Sequence, residues 1–411
     1  MVATTLLQPA DTPDVRRNNL ALVLRLLHDG GPRSRAAVAT ETGLNKGTVS
    51  RLVAELLDRG LVSEVGQIDQ RRRGRPATLL ELDGRSVAAL GLELNVDFIT
   101  ATAIDLGGRP LYEKTRAIVA TNTSRHQVLR ALTSMARQAI DAVSPVCTHI
   151  AGVTVAVPAL VDVDAGAIRF APNLHWWDVE VGARIAHAID AKIAVDVAND
   201  ANLGALAEFR VGEFAGTPNL IYITGQTGVG GGIVVDGRPL RGATGFSGEV
   251  GHMHMMDGGP ECGCGRSGCW EALIGLRPLL RDAVPDLFPT LDTNPRLRPE
   301  DKITHVVERA ATGDPAVLAT LERHGRWLGT GLATLVNVFN PQVVILGGFF
   351  REVAPWTLPE AEATMREFSI APDAGGCQLA VSRLGFSAAA LGGAIHAAER
   401  VFDDPALIEM C

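Results

Sequence analysis

The sequence lacks any apolar run long enough to cross a membrane, and its N-terminus lacks the charged and then apolar segments of a signal peptide. It has only six cysteines in 411 residues, and half of them lie within one short loop. This distribution excludes a disulfide framework and indicates a metal site in a reducing compartment. Together these absences predict a cytoplasmic protein with no membrane partner.

The composition is typical of a globular protein, with 46% hydrophobic and 20% charged residues. At this length we expect two or three domains with well-buried cores. The net charge of −8 is unevenly distributed, because residues 1–82 carry about +3 and the rest of the chain carries about −11. A basic end on an acidic body predicts that only the N-terminal end binds nucleic acid.

The basic N-terminal segment has the pattern of a helix-turn-helix. An apolar helical run covers residues 18–28 and ends at a Gly-Gly-Pro stretch. Ser34 is the predicted cap of a short second helix that stops at Gly43. Asn45 is the predicted cap of a third helix, which carries its apolar residues on one face. Two helices joined by a glycine turn, the second with a polar leading edge, are typical of this motif.

A strand at residues 60–64 and a second strand after residue 76 flank a basic tip, which predicts a winged helix-turn-helix that binds double-stranded DNA. On the third helix the predicted DNA contacts are Asn45, Lys46, Thr48, Ser50 and Arg51. On the wing they are Arg71, Arg72, Arg73 and Arg75, which are suited to a narrow minor groove. The alternative is a protein-interaction hairpin with a solvated charged loop. The agreement of turn, caps and basic wing favours DNA.

A glycine-punctuated loop at residues 248–271 holds the clustered cysteines, which are Cys262, Cys264 and Cys269. Three thiolates and one imidazole form a tetrahedral zinc set, and His252 and His254 just upstream are both candidates for the fourth ligand. With all four positions filled by protein, the predicted cofactor is a structural Zn²⁺. The alternatives are three reduced cysteines in a turn or a disulfide. The carboxylates at the two ends of the loop are too hard for this site.

From residue 86 onward, strands alternate with amphipathic helices, which predicts an α/β fold. The predicted strands include Val87–Leu94, Phe98–Asp105, Leu111–Val119, Ile150–Val157, Ile193–Val197 and Asn219–Thr224. A glycine-rich run, Gly225–Gly232, either brings backbone N–H groups close to a phosphate or forms a strand hairpin. It has neither the Gly-Lys-Ser/Thr of a Walker loop nor the Rossmann spacing.

These motifs together resemble the ROK family of repressors and sugar kinases over residues 86–403. The most specific match is the run from Cys262 to Glu271, which fits the family's zinc signature, and Gly248–His252 and Val197–Asn202 also match. The resemblance implies a two-lobed, actin/hexokinase-like (ribonuclease H-like) α/β body. The N-terminal winged helix-turn-helix looks like that of the repressor branch, whose members respond to sugars.

The predicted domains are a DNA-binding unit at residues 1–82, a first lobe at 83–199 plus 386–411, and a second lobe at 200–385. The resemblance selects His252 over His254 as the fourth zinc ligand. It also implies a sugar site made of Asn199, Asp200, Glu249, His252 and Glu271, to which we add Asn173 from a nearby loop. Carboxylates and amides suit sugar hydroxyls, because each hydroxyl both donates and accepts. The neighbouring residues Trp176 and Trp177 either line the cleft or belong to the core.

The first phosphate loop of the family's kinases, close to Asp-x-Gly-Gly-Thr, is altered in this chain. Asn95 and Val96 stand where glycines are expected, and Asp97 places a negative charge where a phosphate would lie. Asp200, which would be the general base in a kinase, is retained but is predicted to be vestigial. We therefore predict damaged ATP binding, retained sugar binding and no enzymatic role.

The leading hypothesis is a sugar-responsive transcriptional regulator of carbohydrate use, in which a sugar or sugar phosphate changes the geometry of winged helices in a homodimer or homotetramer. The first alternative is an active ATP-dependent sugar kinase with a fused regulatory domain. The second is a regulator that responds to a protein partner instead of a small molecule.

Overall fold

A computed structural model of the protein describes residues 12–68, 77–294, 296–371 and 376–410. The N-terminal unit contains α1 (Thr12–Gly30), β1 (Arg33–Ser34), α2 (Arg35–Thr42), α3 (Lys46–Asp58), β2 (Val62–Ile68) and β3 (Ala77–Leu82). The strand order is β1-β3-β2, as in a winged helix. The side chains of Ser34 and Asn45 cap α2 and α3 by accepting from backbone N–H groups three residues later, at 3.2 and 2.8 Å. Gly43 ends α2 in the left-handed conformation, with φ 73°.

The first lobe is built on a five-stranded sheet of β4 (Val87–Leu94), β5 (Phe98–Asp105), β6 (Pro110–Ala117), β7 (His149–Val157) and β11 (Val195–Asn199). The strand order is β11-β7-β4-β5-β6. β4 pairs in parallel with β7 and antiparallel with β5, and all residues of β4 and β5 are buried. Two helices cover this sheet, α4 (Arg125–Val143) and α13 (Ala388–Asp403). Strands buried on both faces explain the continuous apolar runs in the sequence.

A small antiparallel sheet extends the first lobe next to the cleft. It consists of β8 (Leu160–Asp162), β9 (Ala167–Ala171) and β10 (Trp176–Val179), in the order β10-β9-β8. A single 3₁₀ turn, Pro172–Leu174, joins β9 to β10, and α5 (Val181–Ala188) follows. Leu160, Phe170 and Trp177 are direct neighbours across the three strands.

The second lobe has its own five-stranded sheet, with the order β14-β13-β12-β15-β16. Its strands are β12 (Leu220–Gly225), β13 (Val229–Val235), β14 (Arg238–Pro239), β15 (Val343–Gly348) and β16 (Gln378–Val381). Its helices are α7 (Trp270–Ile274), α8 (Leu276–Ala283), α9 (Phe288–Thr293), α10 (Pro299–Ala311), α11 (Pro315–Phe339) and α12 (Phe349–Phe368). Within the described ranges, no helix is both long and apolar enough to span a bilayer.

Two helices packed against each other connect the lobes: α6 (Asp200–Val211) and α13. α6 also packs on β13 of the second lobe, and α13 packs on β4 and β7 of the first. The approach is close, because a methyl group on Gly392 of α13 would overlap the carbonyl oxygen of Leu203, and one on Gly232 would overlap that of Ala201. A shift of α6 must therefore move α13 or open the contact between them.

The winged helix shares a hydrophobic core with the body. Leu24 and Leu27 of α1 lie in one buried cluster with Val401 and Phe402 of α13. The ring of His28 lies against that of Phe402, with centroids 4.5 Å apart. The N-terminal unit is thus packed onto the first lobe through the last helix of the chain.

Polar contacts strengthen the same junction. Arg59, at the end of α3, donates to the carbonyl oxygen of Ile408 and pairs with Glu55 at 2.8 Å. Arg17 of α1 pairs with Asp404 at 3.3 Å. Arg59 and Glu55 are both buried, and their charges are compensated by each other, by the Ile408 carbonyl and by Arg16, which donates to Glu55 Oε2 at 2.6 Å.

Several predicted element bounds were wrong by one or two residues. The strand predicted at Leu111–Val119 is Pro110–Ala117, and the one predicted at Ile193–Val197 is Val195–Asn199. The second shift arises because residues 190–193 form a turn, closed by a bond from the Ile193 N–H to the Asp190 carbonyl at 2.9 Å. Of the two interpretations of Gly225–Gly232, the hairpin is the one observed, since β12 and β13 pair antiparallel through this run.

Candidate functional site

Four side chains of the cysteine loop meet at one point. One ligand atom from each of His252, Cys262, Cys264 and Cys269 lies within 4.8 Å of the other three. Cys264 Sγ is 3.7 Å from Cys269 Sγ, and Cys262 Sγ is 3.6 Å from His252 Nδ1. Zinc–sulfur bonds of about 2.3 Å in a tetrahedron place two sulfurs about 3.8 Å apart. The observed separations fit that geometry and are far longer than a disulfide of about 2.05 Å.

The local fold explains why this loop closes. Cys262 N–H donates to the Arg266 carbonyl at 2.8 Å, which forms the knuckle that holds the first two cysteines. Cys269 is followed by Trp270, which is fully buried at the start of α7 and donates from its ring N–H to the Trp327 carbonyl at 2.8 Å. The buried tryptophan therefore anchors the loop on the second lobe.

His254 lies outside the cluster, on the exposed side of the loop. Its ring nitrogens are 2.8 Å from Asp257 Oδ1 and 3.2 Å from the Ser267 carbonyl. Asp257 raises the pKa of His254 above the usual histidine range. The residues alone left the fourth ligand open between His252 and His254. In the structure His252 is the one that faces the thiols.

The thiol chemistry also suits a metal ion. Burial raises the pKa of Cys262 and of Cys269, so neither thiol ionises readily on its own. Burial acts in the same direction on Cys264, but hydrogen bonds from Arg266, together with those from Cys262 and Cys269, outweigh it and lower the pKa of that thiol. Three thiolates around a divalent ion leave one net negative charge, and Arg266 is placed to offset it.

Next to this cluster, the cleft between the lobes contains a cavity of about 570 Å³. The polar residues among those lining it include Asn173, Asn199, Asp200, Glu249, His252 and Glu271. The apolar residues among them include Pro158, Ala159, Leu160, Phe170 and Pro172. The structure thus brings together the six residues predicted for the sugar site, which come from four separate parts of the chain. The cavity has a polar side formed mostly by the second lobe and an apolar side formed by the first.

The junction of β11 and α6 positions two of the polar residues. Asn199 caps α6 by accepting from the Asn202 N–H at 3.1 Å and donates to the Ala159 carbonyl at 3.3 Å. Asp200, the first residue of α6, is buried, and its Oδ1 accepts from the Ala201 N–H at 2.8 Å. Burial raises the pKa of Asp200 to about 6. The helix N-terminus holds the carboxyl at the cavity wall.

Glu271 connects the cysteine cluster to the glycine-rich hairpin. Its Oε2 accepts from the Val229 N–H at 2.8 Å, and its Oε1 lies 3.5 Å from Cys262 Sγ. A methyl group on Gly228 would lie 2.6 Å from Glu271 Oε2 and 2.7 Å from Asn173 Nδ2. Glycine is therefore needed at this position because two polar side chains converge on it.

Glu249 lies on the same side of the cavity and is partly exposed. Burial, together with the negative charges of Asp200 and Glu271, raises its pKa to about 7. Its Oε2 is 4.0 Å from His252 Nε2. Three carboxyl groups facing one cavity favour a ligand that offers hydroxyl donors over an anionic one.

A second polar network joins the two lobes where the altered phosphate loop lies. Gln226, in the β12–β13 turn, donates to Glu93 Oε1 at 3.1 Å and accepts from the side chain of Asn95. Thr227 donates to Asp97 Oδ2 at 2.8 Å, and Lys302 Nζ lies 3.3 Å from the same oxygen. We call these six residues the interlobe latch: Glu93, Asn95, Asp97, Gln226, Thr227 and Lys302. Sequence reasoning singled out Asn95 and Asp97 but not their partners.

The predicted DNA contacts lie on the outer face of the N-terminal unit where they are described. Lys46, Ser50 and Arg51 are exposed on α3, and Thr48 is half-buried. Asn45 is exposed, but its side chain is used as the helix cap. The wing residues Arg71, Arg72, Arg73 and Arg75 lie outside the described residues.

The two neighbouring tryptophans have different environments. Trp176 is buried in the core of the first lobe. Trp177 is exposed and packs against Phe170, which lines the cavity, with ring centroids 5.3 Å apart.

Comparison with known proteins agrees with this architecture. Residues 89–400 match the model of the ROK family. The chain belongs to the ROK family. Residues 21–73 of this ROK protein match the MarR family model. The xylose repressor of Bacillus subtilis is 31% identical over 385 residues, which cover 93% of this chain and 95% of the repressor.

Two solved structures similar to this chain represent a regulator and a kinase of the family. One is a ROK family transcriptional regulator, a homologue of the E. coli MLC protein, with a TM-score of 0.78, 27% identity, and coverage of 95% of this chain and 97% of that one. The other is a ROK family glucokinase from Streptomyces griseus in complex with glucose and AMPPNP, with a TM-score of 0.62 and 29% identity. The match covers 98% of the kinase but only 75% of this chain. The fold of this ROK protein is thus similar to that of the regulator over nearly the full length of both chains.

Proposed function

We propose that this ROK family protein is a sugar-responsive, DNA-binding transcriptional regulator that represses carbohydrate-utilisation genes in the cytoplasm. The observation that carries the proposal is the continuous packing from the cavity to the winged helix. Asp200 begins α6 at the cavity wall, α6 packs on α13, and α13 shares a buried core with α1. A ligand that moves α6 therefore acts on the DNA-binding unit through two close helix contacts.

Operator recognition is assigned to α3 and the wing. The exposed residues Lys46, Ser50 and Arg51, with Asn45 and Thr48 at the start of the helix, would enter the major groove. The wing arginines would contact the minor groove or the phosphates. A homodimer or homotetramer would present two such units to half-sites about one helical turn apart, so a change in their separation weakens binding.

The effector is assigned to the polar side of the cavity. Asn199, Asp200, Glu249, His252 and Glu271, with Asn173, would bind the hydroxyl groups of a sugar. The three carboxyl groups favour a neutral sugar at this end, and the phosphate of a sugar phosphate would have to lie elsewhere, for example toward Arg266. The xylose repressor relative supports a carbohydrate effector.

The cysteine cluster is assigned to a structural zinc ion. The sulfur–sulfur and sulfur–nitrogen separations fit tetrahedral coordination, and four protein ligands leave no open position for catalysis. When bound, the ion would supply a fixed centre and no reaction chemistry. Coordination to the ion would fix the orientation of His252 at the edge of the cavity. Glu271 is held separately, by its hydrogen bond from the Val229 N–H.

We infer that the protein is not a kinase. Nucleotide phosphates in the cleft would have to break the hydrogen bond between Asn95 and Gln226. They would also face the carboxylate of Asp97, and the cation nearest to it, Lys302, is already paired with that carboxylate. The alternative is an active sugar kinase, favoured by one observation: the candidate base Asp200 is retained in the cavity. A coupled assay for ADP release across aldoses and amino sugars separates the two functions. Sugar-dependent turnover that Asp200→Asn abolishes would overturn the regulator proposal.

The proposal is tested on the full-length protein with a labelled DNA duplex from its own upstream region. We expect that duplex to bind more tightly than random DNA, with an affinity that falls steeply as salt rises. Arg51→Ala should weaken binding, while Arg137→Ala, a change at an exposed arginine of the body, should not. Equal affinity for both duplexes would contradict the proposal.

A further inference from the structure

The apolar side of the cavity continues outside it as a row of side chains. Leu160, Phe170 and Trp177 are cross-strand neighbours in the small sheet of the first lobe. Leu160 and Phe170 line the cavity, and Trp177 lies one strand further out, on the edge strand β10. We call this row the aromatic ledge.

Trp177 is unusual for a tryptophan in this protein. All five tryptophans of the sequence lie in described ranges, and only Trp177 is exposed, with 57% of its surface accessible. Its neighbour Trp176 faces the core, as expected from strand alternation. A large aromatic side chain left in water next to a binding cavity indicates a contact surface for a ligand or a partner.

The ledge is held in a fixed position. Arg169, on the middle strand, pairs with Asp162 of β8 at 2.7 Å and with Asp178 of β10 at 3.2 Å, so it ties the three strands together. The residues on either side of the tryptophan pair, His175 and Asp178, have left-handed backbone conformations with φ 55° and 46°. A rigid aromatic surface binds a ring with a smaller loss of entropy than a mobile one.

The chemistry of the two ends of the cavity is complementary to a carbohydrate with more than one ring. The polar end presents carboxyl and amide groups for the hydroxyls of one ring. The ledge presents apolar faces, and the C–H face of a pyranose ring stacks on such surfaces. A cavity of about 570 Å³ is also within the range that accommodates ligands of drug size, which are larger than one sugar ring.

We propose that the aromatic ledge is a second sugar subsite, and that the effector is a disaccharide or longer oligosaccharide whose outer ring stacks on Trp177. This inference rests on the proposed function, because it requires the first ring to bind at the polar end. A second copy of this chain covering Trp177 is the competing occupant. The two are distinguished by the test below.

The test measures sugar affinity by calorimetry on the full-length, zinc-loaded protein with three matched pairs of probes: xylose and xylobiose, glucose and cellobiose, and N-acetylglucosamine and diacetylchitobiose. For the pair that binds, the disaccharide should bind about tenfold more tightly than the monosaccharide. Trp177→Ala should remove that difference and leave the monosaccharide affinity within about twofold. Trp177→Phe should keep part of it. Phe368→Ala, which removes another exposed aromatic ring, is the matched control and should change neither affinity.

Other outcomes overturn the inference. Equal affinities for both members of every pair, or an equal loss for both in Trp177→Ala, would show that the ledge holds no ring. Conversion of the wild-type oligomer to monomers by Trp177→Ala, seen by light scattering, would assign the ledge to a subunit interface. If monosaccharides still release the operator in these cases, only the subsite fails. If no sugar of either size binds the wild type, the proposed function fails with it.

Discussion

The side-chain amide of Gln226 donates to Glu93 Oε1 across the cleft at 3.1 Å, and so a residue of the second lobe pairs with one oxygen of a fully buried carboxyl of the first. The same turn carries Thr227, which bonds to Asp97. The two hairpins that would surround a nucleotide in a kinase are thus bonded to each other through side chains. The latch joins the lobes at the wall of the cavity itself, because Asn95, Gln226 and Thr227 are among the residues that line it.

Loss of one partner of the ion pair in the latch should strongly destabilise the protein. Lys302 and Asp97 expose only 8% and 14% of their side chains, so Asp97→Asn leaves a buried ammonium without its counter-charge. Loss of one partner of a buried pair costs about 3–5 kcal/mol. Urea unfolding should show a fall of that size, whereas Glu322→Gln, in an exposed pair with Arg326, should cost less than about 1 kcal/mol. Equal effects would mean that the latch is weak.

Stability should depend on pH through Glu93. Burial, and then the nearby charge of Asp200, raises the pKa of Glu93 from the usual glutamate value of 4.5 to about 8. Between these values the folded state holds a proton that the unfolded state has released, so stability falls as pH rises from 4.5 through 8. Glu93→Gln keeps an acceptor for Gln226 but cannot ionise. Relative to wild type, its Tm should therefore rise more at pH 8.5 than at pH 5.5. A constant difference would contradict this.

Removal of the proposed zinc ion should abolish the proposed response to sugars before it unfolds the protein. The four ligands lie at one edge of the cavity, while the cores of both lobes are built from other residues. After chelation, far-ultraviolet circular dichroism should keep its helical signal, and sugars should no longer release the operator. Cys264→Ser should behave like the chelated protein. Cys377→Ser, a change at a cysteine outside the cluster, should keep both zinc content and response.

Sugar sensing and DNA binding should be separable at Glu271. Its carboxylate bonds to the Val229 N–H and faces the cavity, and it is distant in sequence from the winged helix. Glu271→Ala should therefore abolish release by the effector and leave the operator affinity within about twofold. Glu261→Ala, at an exposed position of the same loop, is the control. A Glu271→Ala protein that still releases DNA would place the effector site elsewhere.

The sequence predicted most of the local structure because the signals were local. Ser34 and Asn45 cap their helices as expected, and the strands Val87–Leu94 and Phe98–Asp105 were predicted with the observed bounds. The cysteine loop also comes together, since its ligands lie within 18 residues of one another in the chain. The choice between His252 and His254 needed either the family resemblance or the three-dimensional structure.

The latch could not be predicted, because its partners are far apart in the chain. Asp97 and Lys302 are separated by 205 residues, and Glu93 and Gln226 by 133. No sequence spacing relates Lys302, on the amphipathic helix α10, to Asp97 in the hairpin between β4 and β5. The orientations of Trp176 and Trp177 were also undecided, because a one-residue change of strand register exchanges the inner and outer faces.

The shared core of α1 and α13 also has a consequence for synthesis of the protein. Arg25 bonds to Asp403, a partner 378 residues later, and His28 packs on Phe402. The winged helix is synthesised well before the surface on which it packs, because α1 precedes α13 by more than 350 residues in the chain. A chain cut short before α13 would keep the residues predicted to contact DNA but leave Leu24 and Leu27 uncovered on that side. Only a chain that extends through α13 can pack the winged helix against the body, which the proposed response to an effector requires.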